Sequence, residues 1–466
     1  MAPGGLSGVI STDAGVSPWA RALYYAAPMS SLPPIEISAQ FFVGVIVIVL
    51  FIHLVLGICA YAVYAERKLS AYIQDRLGPN RVGPLGLLQP LADGLKFIVK
   101  EDFAPKGVDW ALFTIAPCAI IIPALIGWAV IPWGGWIEIH DFSLLWGAIH
   151  VTGGTVLVAA SNVDIGIVFL LAVASLGVYG VTLGGWASFN KYSMLGGLRA
   201  AAGVISYEIP MGLAILAVVL LVGNIRTDGL VEAQAQHGWM ILYQPLAALL
   251  FFVCIMAEGN RAPFDNAECE QELVGGYHTE YSSMRFALFF LAEYAHLTTA
   301  SAFFVLLFLG GYHLPLVGWT SPEAVGLGPA LLKGAVFLGK AVSAVVFMII
   351  LRWTLPRIRW DQVMKLCWNG LIPIGILIVI STAVMVYLGW TGIAPMLLLN
   401  LALLVVILVA GPLLPRADVN HRVRMAGSRF MPLHGERVVT GPGSHQARRE
   451  SSVPEGAPDR PLVGAH

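Results

Sequence analysis

The sequence predicts an all-α polytopic membrane protein with about nine transmembrane helices, its N-terminus outside and its C-terminus in the cytoplasm. Three observations predict this. The 466 residues are 57% hydrophobic and only 12% charged, with a mean hydropathy of +0.77, whereas a soluble domain carries about 25% charged residues. Apolar runs near the roughly 20 residues that cross a bilayer recur along the chain. Lysine and arginine gather in alternate connecting segments. The formal net charge of −1 carries no sign of nucleic-acid binding.

Residues 1–37 read as an outer extension, lacking the basic start and apolar core of a cleaved signal peptide. The expected spans then follow in order: Ala39–Ala65, Trp110–Ile131, Ile165–Trp186, Gly196–Val222, Gly238–Ala257, Phe286–Gly311 and Leu331–Leu351. Leu366–Pro415 is uncharged and too long for one crossing; the turn Gly389-Trp390-Thr391-Gly392 divides it into an eighth and a ninth helix. With nine spans, the segments after the first, third, fifth, seventh and ninth hold 7, 2, 2, 4 and 8 Lys/Arg, which is 23 of 27. Phe142–Val163 is also uncharged, but a tenth span there would put the basic first loop on the wrong side. Residues 132–162 are therefore expected as an outer loop. The transmembrane domain is placed at 38–415, with cytoplasmic loops at 66–108 and 258–285. The arginine-rich tail 416–466 is expected to be disordered. Arginine outnumbers lysine 19 to 8 beside abundant Ala and Gly, which points to a GC-rich bacterium and its plasma membrane.

The five cysteines form no C-x-x-C, and no histidine pair has helical ligand spacing, so a metal or iron–sulfur site held by this chain alone is not expected. The first cytoplasmic loop carries Glu66-Arg67-Lys68, then Gly78-Pro79-Asn80 and Gly83-Pro84, which force turns and a compact shape. An adjacent acid and base, Glu66 and Arg67, at the mouth of a span can hold a polar ligand head. Leu91, Leu95 and Ile98 share a helical face against Asp93, Lys96 and Lys100, the pattern of an amphipathic helix in the membrane interface.

Charges inside spans are costly, at roughly 2.5–3.5 kcal/mol each on insertion scales. Glu208 lies nine residues after Arg199 and Glu293 eight after Arg285, so both stand about 12–14 Å in from the cytoplasmic end. They can hydrogen-bond a neighbouring helix as neutral acids, which is compatible with membership of a proton path. Lys340 is positioned to pair with either one. The loop from Glu258 to Arg285 holds six carboxylates (Glu258, Asp265, Glu268, Glu270, Glu272, Glu280) and two arginines, Arg261 and Arg285. Glu268 and Glu272 are four apart and would share a helical face with Asp265. Such a stack cannot ionise fully and would raise at least one pKa. The alternative is a solvated acidic loop docking on a basic soluble partner.

These motifs together resemble the H subunit of the NADH–quinone oxidoreductases, the membrane component at the quinone site of respiratory complex I. The resemblance runs from about residue 40 to 390. It is carried by Glu66-Arg67-Lys68, Gly78-Pro79-Asn80, Gly86 to Asp93, Lys100-Glu101, Ser206-Tyr207-Glu208 and Asn260-Arg261-Ala-Pro263-Phe264-Asp265. It continues in Glu268-x-Glu270-x-Glu272-Leu, Glu280-Tyr281, Phe289 to Tyr294 and Pro356-Arg357-x-Arg359-x-Asp361-Gln. The resemblance implies a quinone chamber lined by Glu66, Arg67, Asp93 and Arg261. It implies an acidic proton path through Glu208, Glu258, Glu268, Glu270, Glu272, Glu280 and Glu293. It further implies quinone as substrate, no complete active site and no bound cofactor in this chain alone, and iron–sulfur clusters and FMN in partner subunits. The expected partners are peripheral-arm subunits, small membrane subunits, antiporter-like subunits and membrane lipid. Related subunits of membrane-bound hydrogenases and deazaflavin dehydrogenases are the alternative, with a stand-alone ion transporter a further one. Gly259 departs from the Thr common in the family after the first Glu of the loop.

Overall fold

The computed structural model describes residues 35–144, 149–267, 269–413, 436–439 and 448–451. The chain divides into two units, Met1–Val405 and Val406–His466. Strand β1 (Ile35–Ser38) leads into helix α1 (Ala39–Ile73), whose start is capped by Ser38 Oγ accepting from the Phe41 amide at 3.3 Å. Helix α1 runs beyond the expected span and includes Glu66, Arg67 and Lys68, of which Glu66 is buried. These three residues belong to a helix, not a loop, because the first turn-forcing residues come only at Gly78-Pro79.

The following turns are compact: the Tyr64 hydroxyl donates to the Leu85 carbonyl at 2.7 Å, and a Cβ on Gly86 would meet the Pro79 carbonyl oxygen at 2.3 Å. Helix α2 (Gln89–Val99) keeps the expected amphipathic face, with Leu91, Leu95 and Ile98 exposed. Helix α3 (Trp110–Ile126) begins at Asp109, whose carboxylate accepts from the amides of Ala111 and Leu112. The segment expected as an outer loop holds strands β2 (Trp136–Ile139), β3 (Phe142–Leu144), β4 (Ile149–Thr152) and β5 (Gly154–Leu157), and no helix among its described residues. β2 pairs antiparallel with β5, while β4 lies between β3 (antiparallel) and β1 (parallel).

Helix α4 (Gly166–Ala187) packs between α3 and α5 (Lys191–Val222). Small residues permit this approach. A Cβ on Gly180 would stand 2.2 Å from Ile120 Cγ1, and one on Gly196 would stand 2.6 Å from Gly276 Cα. Helices α6 (Thr227–His237) and α7 (Met240–Tyr243) precede α8 (Pro245–Glu258), so the fifth expected span is interrupted at Gln244-Pro245. Proline has no amide hydrogen and starts a helix more readily than it continues one.

The acidic loop contains only the short helix α9 (Glu270–Leu273) and a turn at Gly276–His278 before α10 (Ser283–Phe308). Helices α11 (Leu327–Thr354), α12 (Trp360–Lys365), α13 (Ile372–Tyr387) and α14 (Ile393–Leu413) complete the helical part, with a π-helical turn at Leu366–Leu371 joining α12 to α13.

Among the described residues seven helices are long and apolar enough to cross a membrane, which makes this a mostly helical polytopic membrane protein. The apolar helices Pro245–Glu258 and Ile393–Val409 are shorter and fall where the fifth and ninth spans were expected. The first 34 residues and most of the tail lie outside the described residues. In the second unit Glu436–Val439 and Arg448–Ser451 pair as two antiparallel strands, β6 and β7.

Candidate functional site

The site is built where the C-terminal part of α1, the segment after α8, and helices α10 and α11 meet. Its centre is Arg261, only 3% exposed. Its Nη1 lies 2.8 Å from Glu66 Oε2 and its Nε 2.7 Å from Glu293 Oε1. The Tyr294 ring packs under the guanidinium at 4.1 Å, and its hydroxyl donates to Glu66 Oε2 at 2.8 Å. Arg352, from α11, reaches Glu66 Oε1 at 2.6 Å. Two carboxylates and two guanidiniums thus close a charge-balanced cluster. Burial would lower the pKa of Arg261, but Glu293, Tyr294 and Glu66 outweigh it and raise the guanidinium above its ordinary value. Beside this cluster Arg357 bridges Asp265 Oδ2 at 2.6 Å and Cys269 Sγ at 2.9 Å. Burial raises the Asp265 carboxyl above its usual range despite the pull of Arg357 and Arg352.

A cleft of about 150 Å³ borders the cluster, lined by Glu293, Arg352, His278, Tyr277 and three phenylalanines. Burial pushes the His278 imidazole below its ordinary value, against the opposing charges of Glu293 and Asp265. On its other side Glu293 faces a cavity of about 50 Å³ that Glu258, Asn260 and His296 also line. Glu258 and His296 continue into a second cavity of about 30 Å³ beside Met211. Both volumes exceed the roughly 10–15 Å³ that admits a water. Glu208, half-buried on α5, lies within electrostatic reach of Glu258. Among the described residues no donor reaches its Oε1.

A family model described as NADH dehydrogenase matches residues 45–383, which takes in every residue of this cluster and both cavities. The chain belongs to the NADH dehydrogenase family. An NADH-quinone oxidoreductase H subunit from Cytophaga hutchinsonii is 43% identical over 357 residues, covering 76% of this chain and 99% of that protein. An H subunit from Geobacter sulfurreducens is 44% identical over 345 residues, covering 73% and 94%. The H subunit from Leptospira biflexa is 43% identical over 347 residues, with 73% and 94% covered.

Within this NADH dehydrogenase family chain the expected site residues separate into groups. Glu66, Arg261 and Glu293 come together, and Glu258 and Glu208 follow inward. Arg67 does not join its neighbour Glu66. On a helix adjacent side chains point about 100° apart, and Arg67 instead pairs with Asp93 at 2.6 Å, where Lys96 and Gln89 also reach Asp93. The expectation that Glu66 and Arg67 act as one acid–base pair is therefore corrected. Lys340 pairs with neither intramembrane glutamate. It donates to the carbonyls of Leu309, Gly311 and His313 at 2.7, 3.0 and 2.7 Å, capping the end of α10.

The carboxylate stack is also corrected. The helix starts only at Glu270, so Asp265 turns to Arg357 while Glu272 pairs with Arg199. Glu268 lies outside the described residues, as does the side chain of Glu270. Glu280 accepts from Asn190 Nδ2 at 2.6 Å, apart from the cluster. Sequence reasoning missed Arg352, Tyr294, His278 and His296. Arg352 was legible only as the end of a span, and the two histidines only as polar residues next to the acids.

Proposed function

We propose that this chain is the H subunit of a proton-pumping NADH:quinone oxidoreductase in a bacterial plasma membrane, helping to form the quinone chamber and linking quinone reduction to proton movement. It crosses the membrane nine times, with its N-terminus outside and its C-terminus in the cytoplasm. The observation that carries this reading is the closed cluster Glu66–Arg261–Glu293–Arg352, whose Glu293 lines both a cleft beside Arg352 and a cavity that Glu258 also lines.

The cleft, at about 150 Å³, is smaller than the roughly 300–1,000 Å³ of complete small-molecule sites. One wall of a chamber fits that size, with other walls supplied by peripheral-arm subunits that hold the iron–sulfur cluster and FMN. Small membrane and antiporter-like subunits and lipid are the remaining partners. An apolar groove of about 560 Å³ between α1 and α11 follows the same two helices that carry Glu66 and Arg352, and suits an isoprenoid tail arriving from the bilayer. Its wall ends at Ala65, directly before Glu66.

Quinone takes up two electrons from the partner cluster and two protons to give quinol. Negative charge at the headgroup before protonation favours proton uptake by Glu293, which loosens its pair with Arg261 and passes the change to Glu258 and Glu208. Glu268, Glu270, Glu272 and Glu280 form the loop side of this acidic path, and Arg67 and Asp93 the outer lining of the chamber.

The test is Glu66→Gln in the purified whole complex, which keeps shape while removing the charge shared by Arg261 and Arg352. A raised KM for short-chain quinone, with NADH–ferricyanide activity unchanged, is expected. Parental KM and kcat would remove the chamber assignment.

A further inference from the structure

His296 sits three residues after Glu293 on α10 and faces inward. It lines both interior cavities, as Glu258 does, whereas Glu293 lines only the first. A titratable side chain thus stands between the acid at the chamber cluster and the acids deeper in the bundle.

The fold makes room for it. A Cβ on Gly177 of α4 would lie 2.9 Å from the His296 Cε1 and 3.0 Å from its Nε2, so glycine there leaves the space that the ring occupies. The Ile120 backbone on α3 holds the imidazole from the other side. The titratable groups around it are Glu293 from its own helix, Glu258 from α8 and Tyr277 from the turn before α10, with Glu208 of α5 beyond Glu258. Among the lining residues, α3 and α4 present none. The first cavity, about 50 Å³, has room for water between these groups. An imidazole can take up a proton at one nitrogen and pass it on while the other nitrogen stays hydrogen-bonded.

We propose that His296 carries protons between Glu293 and Glu258. In each passage the ring nitrogen that is not held by Ile120 takes the proton of a protonated Glu293 through cavity water, while the other keeps its N–H on the Ile120 carbonyl. The same nitrogen then gives the proton to the Glu258 carboxylate through the cavities that both groups line. One O–H bond breaks on Glu293 and one forms on Glu258, and the ring returns to its neutral form. This rests on the proposed proton path and adds a member to it.

The experiment uses the whole complex in proteoliposomes, with His296→Gln, His296→Asn and His296→Ala beside Glu258→Gln. Assembly is checked on native gels and by NADH–ferricyanide activity. Gln and Asn can still bond the Ile120 backbone but cannot carry a proton. A severalfold fall in protons per NADH is expected in each assembled variant, together with recovery of the Ala variant by millimolar imidazole that grows with the free-base fraction as pH rises. A parental ratio in any assembled His296 variant overturns the proposal, as does failure of all three to assemble, which would assign the ring to structure. A lowered ratio in Glu258→Gln with a parental ratio in His296→Gln removes the histidine alone. Parental ratios in both remove the acidic path itself.

Discussion

Two groups of enclosed or half-buried acids in this molecule are treated differently. Around Arg261 each carboxylate is held by a guanidinium: Glu66 by Arg261 and Arg352, Glu293 by Arg261. Beyond it, Glu258 and Glu208 lie within electrostatic reach of each other, with no arginine among the lining residues of the cavities and no donor on Glu208 Oε1 among the described residues. The first group is a fixed, charge-balanced lattice. The second is a pair of like charges in a poorly solvating place, where at most one ionises cheaply. Under the proposed function the first group positions and the second exchanges protons, with Glu293 belonging to both.

The largest expected effect comes from breaking the lattice. Arg261→Ala leaves Glu66 and Glu293 buried without their shared partner, and removing one member of a buried pair costs about 3–5 kcal/mol. Loss of the assembled complex on native gels, or loss of quinone reduction in what remains, is the expected outcome. Arg261→Lys restores charge but not the two-sided fork, so it should rescue assembly only in part. If Arg261→Ala behaves as the parent does, the two groups are not different in kind.

The second effect separates the groups. Glu208→Gln should leave assembly and quinone KM near parental values while lowering protons pumped per NADH, whereas Glu66→Gln should move quinone KM. The same response in both variants would erase the distinction.

A pH dependence sharpens the boundary. Burial holds His278 below the ordinary histidine value, so the fold favours its neutral form. Its contribution is fully present above the ordinary histidine pKa of 6.5 and fades as pH falls through the depressed value. The charged groups facing it are Glu293, Arg352 and Asp265. His278→Gln should flatten the acid limb of quinone reduction measured against pH, and an unchanged limb assigns that titration elsewhere.

The smallest effect is expected at the rim, where the Arg199 and Glu272 side chains are about one-third exposed. Exposed pairs are worth about 0–1 kcal/mol. Arg199→Ala should shift thermal stability little, and a large loss would place this pair inside the lattice.

Much of this was legible in the chain. Glu208 and Glu293 stood out because a charge within an apolar run is expensive, and the amphipathic face of α2 follows from spacing alone. The partners were not legible. Arg352 meets Glu66 across 286 residues and Arg261 meets it across 195, and no local pattern records such distances. Adjacency misled at Glu66-Arg67, where one helical step turns the side chains to different partners. The stack of Asp265 with Glu272 failed because it assumed a helix that begins only at Glu270. Lys340 looked like a counter-ion by depth, yet the free carbonyls at the end of α10 claim it first.

The most direct measurement is the number of protons translocated per NADH by the complex carrying Glu293→Gln, the residue shared by lattice and interior. Quinone reduction that continues with a markedly lower ratio is the expected result. A parental ratio at a parental rate would contradict the account, because the link between headgroup charge and the inner acids would then run elsewhere.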